Sequence, residues 1–262
     1  MKGLRSTILG FCFFHAALTL GGERFSAALP THTIFPTTTG IIFPSLLSAA
    51  GINPAALPQR GAPATAFGVN YSPPPGGQQH EYSASFATAN KQYGLGLGTL
   101  GGAGDTASNA VFAGAGFRSE STSLGLAIRD DNLSDGFTPQ TDIGVIAAGS
   151  ELSYGLVLYH LESAPQLDFG LGFGKDKSYN FELNVLMPPF GSMFTPGSAF
   201  TFTAATTVYV GIFGISFVSS YVTNPAQVSQ GVSALVWIFK NFGLTIQYRS
   251  PNRSYYGFIA TF

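Results

Sequence analysis

The chain has 262 residues, of which 45% are apolar, 14% aromatic and only 10% charged, with a formal net charge of −1. Soluble domains carry roughly 25% charged residues, so most of this chain's outer surface is not expected to face water. No basic run occurs anywhere, which excludes a nucleic-acid partner, since that needs clustered cations against phosphates.

Residues 1–28 read as a secretory signal. Lys2 and Arg5 give a positive start, residues 8–20 a short apolar core, and Ser26-Ala27-Ala28 the small residues of a cleavage site. The apolar run is too short to span a bilayer as a helix. The only cysteine, Cys12, falls inside it, so the mature chain is expected to hold no disulfide and no cysteine-based metal site.

Residues 29–62 differ from everything after them. Pro30, Pro36, Pro44, Pro54 and Pro58 oppose a regular helix or interior strand. Ile34, Phe35, Ile41, Ile42, Phe43, Leu46 and Leu47 are nevertheless too apolar for a free linker. Irregular backbone is tolerated at membrane depth only where protein covers it or it lines a cavity. The segment is therefore expected to fold back as a plug inside a barrel.

From residue 63 to 262 the sequence reads as a transmembrane, antiparallel, up-and-down β-barrel of about fourteen strands. Large apolar residues alternate with small or polar ones: Tyr93, Leu95 and Leu97 with Gly94, Gly96 and Gly98, and Leu167, Phe169, Leu171 and Phe173 with Asp168, Gly170 and Gly172. Period two places one set toward lipid and the other toward a lumen. Residues 204–222 have the length of a membrane helix, but β-branched and aromatic residues dominate and Gly211 and Gly214 interrupt them, so they read as two strands and a tight turn. Short connections near Asn90, Glu120, Glu151, Lys177, Ile212 and Asn241 alternate with longer ones at 73–79, 101–108, 130–139, 162–166, 187–198, 223–229 and 249–254. After the short turns an aromatic-glycine-aliphatic pattern recurs at Tyr93, Tyr154, Phe213 and Phe242, as expected of an interfacial girdle. Tyr256, Phe258, Ala260 and Phe262 share one face at the chain's end. This ending resembles the C-terminal assembly signal of bacterial outer-membrane barrels, which implies the barrel-assembly machinery as a partner.

The stretch Ala50 to Leu57, containing Asn53, Pro54 and Ala55, resembles the Asn-Pro-Ala segment near the N-terminus of the FadL/TodX group of outer-membrane transporters for hydrophobic compounds. The resemblance implies a fourteen-stranded barrel with an N-terminal plug, although this chain is shorter than typical members. It also implies a lateral gate at the third strand, here 91–102, where Gly94, Gly96 and Gly98 are the candidates.

Candidate chemistry is sparse. His160 and Ser163 lack a third group to orient them, and His80 and His32 stand alone, so neither an enzyme nor a metal site nor a cofactor is expected. Asp130 to Gly136 misses the calcium-loop spacing and reads as a turn. Met187, Phe190, Met193 and Phe194 put apolar, adaptable side chains on an outer loop, suited either to capturing a solute or to folding inward over the pore. The leading expectation is passive uptake of small hydrophobic molecules, fatty-acid-like or aromatic, across the outer membrane of a Gram-negative bacterium, with outer-membrane lipid around the barrel. A general or solute-selective porin is the alternative, and a non-transporting barrel that serves as an assembly or anchoring partner is the third.

Overall fold

The computed structural model describes residues 40–58, 64–73, 80–103, 109–130, 133, 136–175, 179–193, 195–249 and 253–262. Fourteen antiparallel strands close into a barrel in which each pairs with its sequence neighbours and β1 (Ala64–Ser72) pairs with β14 (Arg253–Thr261). At the seam the Phe262 N–H donates to the Thr65 carbonyl at 2.8 Å. Between these lie β2 (His80–Ala89), β3 (Tyr93–Ala103), β4 (Ala110–Ser119), β5 (Thr122–Asp130), β6 (Gln140–Ala148) and β7 (Leu152–Tyr159). The circuit continues through β8 (Gln166–Lys175), β9 (Tyr179–Leu186), β10 (Thr201–Val210), β11 (Phe213–Thr223), β12 (Ala226–Phe239) and β13 (Phe242–Arg249). Closure leaves no sheet edge with unpaired backbone groups.

The alternation written in the sequence becomes a two-sided wall. Leu95, Leu97, Leu124, Leu126, Ile128, Ile215, Leu244 and Ile246 lie exposed on the outside, while their neighbours in sequence are buried or half-buried on the inside. A wall this apolar toward its surroundings is what a hydrocarbon environment stabilises and water does not. No described helix is long and apolar enough to cross a membrane, which says nothing of crossing by strands. Tyr93, Tyr154 and Phe213 stand exposed beside the short turns, and Tyr93 and Phe117 approach at 5.4 Å between ring centroids.

One connection and the N-terminal segment differ from the expectation. The longer loop expected at 223–229 is a two-residue turn at Asn224 and Pro225, because Val228 and Val232 continue the outward alternation and extend β12 to fourteen residues. The prolines of the N-terminal segment do not prevent a helix. They bracket one: α1 (Leu46–Ile52) occupies the proline-free stretch between Pro44 and Pro54. The Ser45 side chain caps its start, accepting from the Ser48 N–H, and the Asn53 N–H donates to the Ala49 carbonyl at its end.

Residues 40–58 lie on the inward face of the wall. Helix α1 packs on β1 to β5, and the 3₁₀ turn Pro54–Ala56 packs on β4, β5 and β6. The wall's glycines explain how this fits. Nine of them, Gly94, Gly96, Gly114, Gly116, Gly125, Gly144, Gly155, Gly170 and Gly172, face the segment so closely that an added Cβ would meet it within ordinary contact distance or less. They span six successive strands, β3 to β8. Inward glycine brings the segment's backbone against the wall, where side chains would hold it off.

Candidate functional site

The lumenal segment is held by side chains of the wall that bond its backbone. Glu182 on β9 accepts from the N–H groups of Ile42 at 2.8 Å and Phe43 at 3.2 Å. Tyr159 on β7 donates its hydroxyl to the Ile52 carbonyl at 2.9 Å. Arg129 on β5 donates Nη2 to the Gly51 carbonyl at 2.8 Å and Nε to Asp142 at 2.5 Å. The Arg129 guanidinium lies 5.2 Å from the Tyr159 ring centroid, and Asp142 also accepts from the His160 N–H at 3.0 Å. Isolated charges in such surroundings would be costly, and pairing together with hydrogen bonds to the segment compensates them.

Asn53 ties the segment to itself. It is fully buried, donates Nδ2 to the Ile41 carbonyl at 2.7 Å, and accepts from the Ala55 N–H at 3.0 Å. The first bond joins two parts of the segment, and the second caps the 3₁₀ turn that opens with Pro54, where a missing N–H costs nothing. Pro54 and Ala55 press on Gly125, and Leu57 packs on Gly94 and Gly96. Each residue of the Asn-Pro-Ala stretch and Leu57 thus sits at a contact between segment and wall.

Among the described side chains the inner wall from β10 to β13 carries no charge, whereas Glu81 on β2 accepts from the Tyr255 hydroxyl of β14 at 2.7 Å. From β10 to β13 the wall presents Thr203, Thr207, Ser216, Ser220, Ser233 and Thr245, with Thr207 and Ser216 paired at 2.9 Å and Thr203 and Ser220 at 2.9 Å. An apolar cluster joins the segment to this side of the lumen: Leu47, Ala49, Ala50 and Leu57 belong to one buried group with Ala66, Ala87, Phe112, Leu235 and Ile259. Asp168, Glu182 and Asn184 occupy neighbouring inward positions on β8 and β9, where all three are buried.

The other sequence candidates fall elsewhere. Gly98 faces Phe112 and Ser85 rather than the segment, and β3 pairs without a register shift with both β2 and β4. Met187 begins the β9–β10 loop, Phe190 is exposed in the short 3₁₀ turn Phe190–Ser192, Met193 follows it, and Phe194 lies outside the described residues. Tyr256 and Phe262 stand exposed on the outer face, with Phe258 packed between Phe67 and Phe242. The Ser163 hydroxyl bonds Gln140 at 2.7 Å, and no group of metal-ligating residues occurs among the described ones. Beyond the strand ends, two hydrogen bonds from Thr141 hold the exposed Glu162 carboxyl below its usual pKa. The expected signal over 1–28 and residues 29–39 lie outside the described residues.

Sequence reasoning did not pick out Arg129, Asp142, Tyr159 and Glu182 as anchors. Their signal was present: each is an ionisable residue at an inward position of a strand, where such residues are costly and retained for a reason.

No family model matches the chain, and no curated protein matches its sequence. Among solved structures, mutants of the porin of Rhodopseudomonas blastica share 10% identity with it over 76% of this chain and 98% of theirs, with TM-scores of 0.46 and 0.47.

Proposed function

We propose that this protein is a passive solute channel of the Gram-negative outer membrane, constricted by residues 40–58 acting as a plug. The two-faced wall carries the reading. Its outside is a continuous apolar surface suited to lipid, and its inside, from β10 to β13, presents a strip of hydroxyls with no charged group among the described side chains. Hydroxyls replace part of a polar solute's hydration without selecting by charge, as rings of ionised residues would. Small neutral solutes are therefore the class this wall suits, and the segment limits their size and rate.

A second reading, uptake of small hydrophobic molecules, is favoured by the apolar cluster that runs from Leu47 to Leu235 and Ile259 inside the lumen. Proteoliposomes carrying the purified protein separate the two. The channel reading predicts swelling in small neutral sugars and polyols that falls steeply with solute size. Transfer of a fluorescent fatty acid without swelling would favour the hydrophobic reading, and neither activity would leave a barrel that transports nothing.

A further inference from the structure

At the long-loop end, the β9–β10 connection folds back over the strand ends and partly covers a cavity of about 440 Å³. Its floor is made by the last inward residues of five successive strands: Gln166 of β8, Leu186 of β9, Thr201 of β10, Val222 of β11 and Gln227 of β12. Its roof is pinned on both sides. The Phe190 N–H donates to the Pro165 carbonyl at 2.9 Å, and the Asn224 amide donates to the Gly197 carbonyl. Within the roof, Ser198 donates to the Thr195 carbonyl at 2.7 Å and Ser192 to that of Pro189 at 3.1 Å. The cavity is thus preformed and falls within the ~300–1,000 Å³ of small-molecule sites.

The chemistry of the lining selects a ligand class. Among the described residues that line it none is charged. Proline, leucine, methionine and valine side chains alternate with the Gln166, Asn224 and Gln227 amides and with hydroxyls. An ion would lose hydration here with no counter-charge to replace it, whereas a neutral molecule with an apolar body and an amide, ester or hydroxyl group matches both halves of the lining. The geometry points to a binding vestibule for small, neutral, partly apolar solutes at the mouth of the hydroxyl strip. As an uptake site this rests on the channel reading, while the binding itself does not.

Three probes of one shape test it: 4-fluorobenzamide, 4-fluorobenzoate and 4-fluorobenzamidinium, followed by fluorine NMR line broadening on the full barrel in neutral detergent. The benzamide should bind at least tenfold more tightly than either ion. Gln227→Leu and Gln166→Leu should each weaken it several-fold, and Val222→Trp, which fills the floor, should abolish it. Equal affinity for an ion, or benzamide binding unaffected by all three substitutions, would overturn the assignment. Assembly of each variant is checked by the shift in gel migration on heating. Swelling of proteoliposomes without benzamide binding would leave the channel and remove the vestibule, and binding without swelling would do the reverse.

Discussion

Replacing Glu182 with leucine should free the lumenal segment while the barrel stays assembled. The carboxylate accepts the backbone N–H groups of Ile42 and Phe43 at 2.8 and 3.2 Å, and leucine accepts neither. A buried donor without a partner costs roughly 1–3 kcal/mol, so losing both bonds costs roughly 2–6 kcal/mol of docking free energy. Removing a buried carboxylate offsets part of that, which places the effect in the lower half of the range. At a factor of ten for every ~1.4 kcal/mol, the undocked fraction should rise roughly 30-fold to 700-fold. The strand pairs of β9 are backbone bonds to β8 and β10 and do not depend on the side chain. The assay is maleimide labelling of Ser48→Cys in a Cys12→Ser background, because Ser48 is 1% exposed in the docked segment. Labelling of an assembled Glu182→Leu barrel at the parent rate would refute the clamp. Failure of the barrel to assemble would show instead that Glu182 supports the wall.

The same labelling should rise with Gly125→Val, whose added atoms would enter the backbone of Pro54 and Ala55, and stay unchanged with Gly191→Ala, which has no neighbour within 4 Å. Asn53→Ala loses a cap worth ~0.5–2 kcal/mol and the donor to Ile41, so it should raise labelling about tenfold or more, with Asn53→Asp intermediate because it keeps the cap. Breaking the buried Arg129–Asp142 pair from either side should cost ~3–5 kcal/mol, read as a lower urea midpoint, whereas the double leucine variant should lose less than the two singles summed. Leu126→Arg, on the exposed outer face of β5, should destabilise the barrel in liposomes by ~2–4 kcal/mol if that residue lies near the bilayer midplane. A change near zero would contradict a lipid-facing wall.

The wall was legible in the sequence because period-two alternation is a local signal: each outward Leu and inward Gly of β3 is set by its immediate neighbours, and Gly211 and Ile212 marked the turn within 204–222. The β11–β12 connection was harder, since Asn224 and Pro225 carry ordinary turn chemistry while the alternation that resumes at Ala226 is interrupted by glutamines. What the sequence could not show was which partner each inward residue meets. Gly144 and Asn53 lie ninety-one positions apart and touch, as do Glu182 and Ile42, and nothing local links either pair. The glycines of β3 illustrate the difference: their spacing is compatible with a weakened strand or with room for a neighbour, and only the packing of Leu57 and Ala50 reveals what occupies the space. The helix α1 was obscured by the prolines around it, which limit its length to seven residues without forbidding it.

The most direct test of the constricted-channel account is single-channel conductance in a planar lipid bilayer, comparing the full chain with a chain lacking residues 40–58 and with Glu182→Leu. The account predicts low conductance from the full chain, large steady openings from the deletion, and intermittent large openings from Glu182→Leu. Equal, large conductance from all three would show that the segment does not limit the lumen and would contradict it.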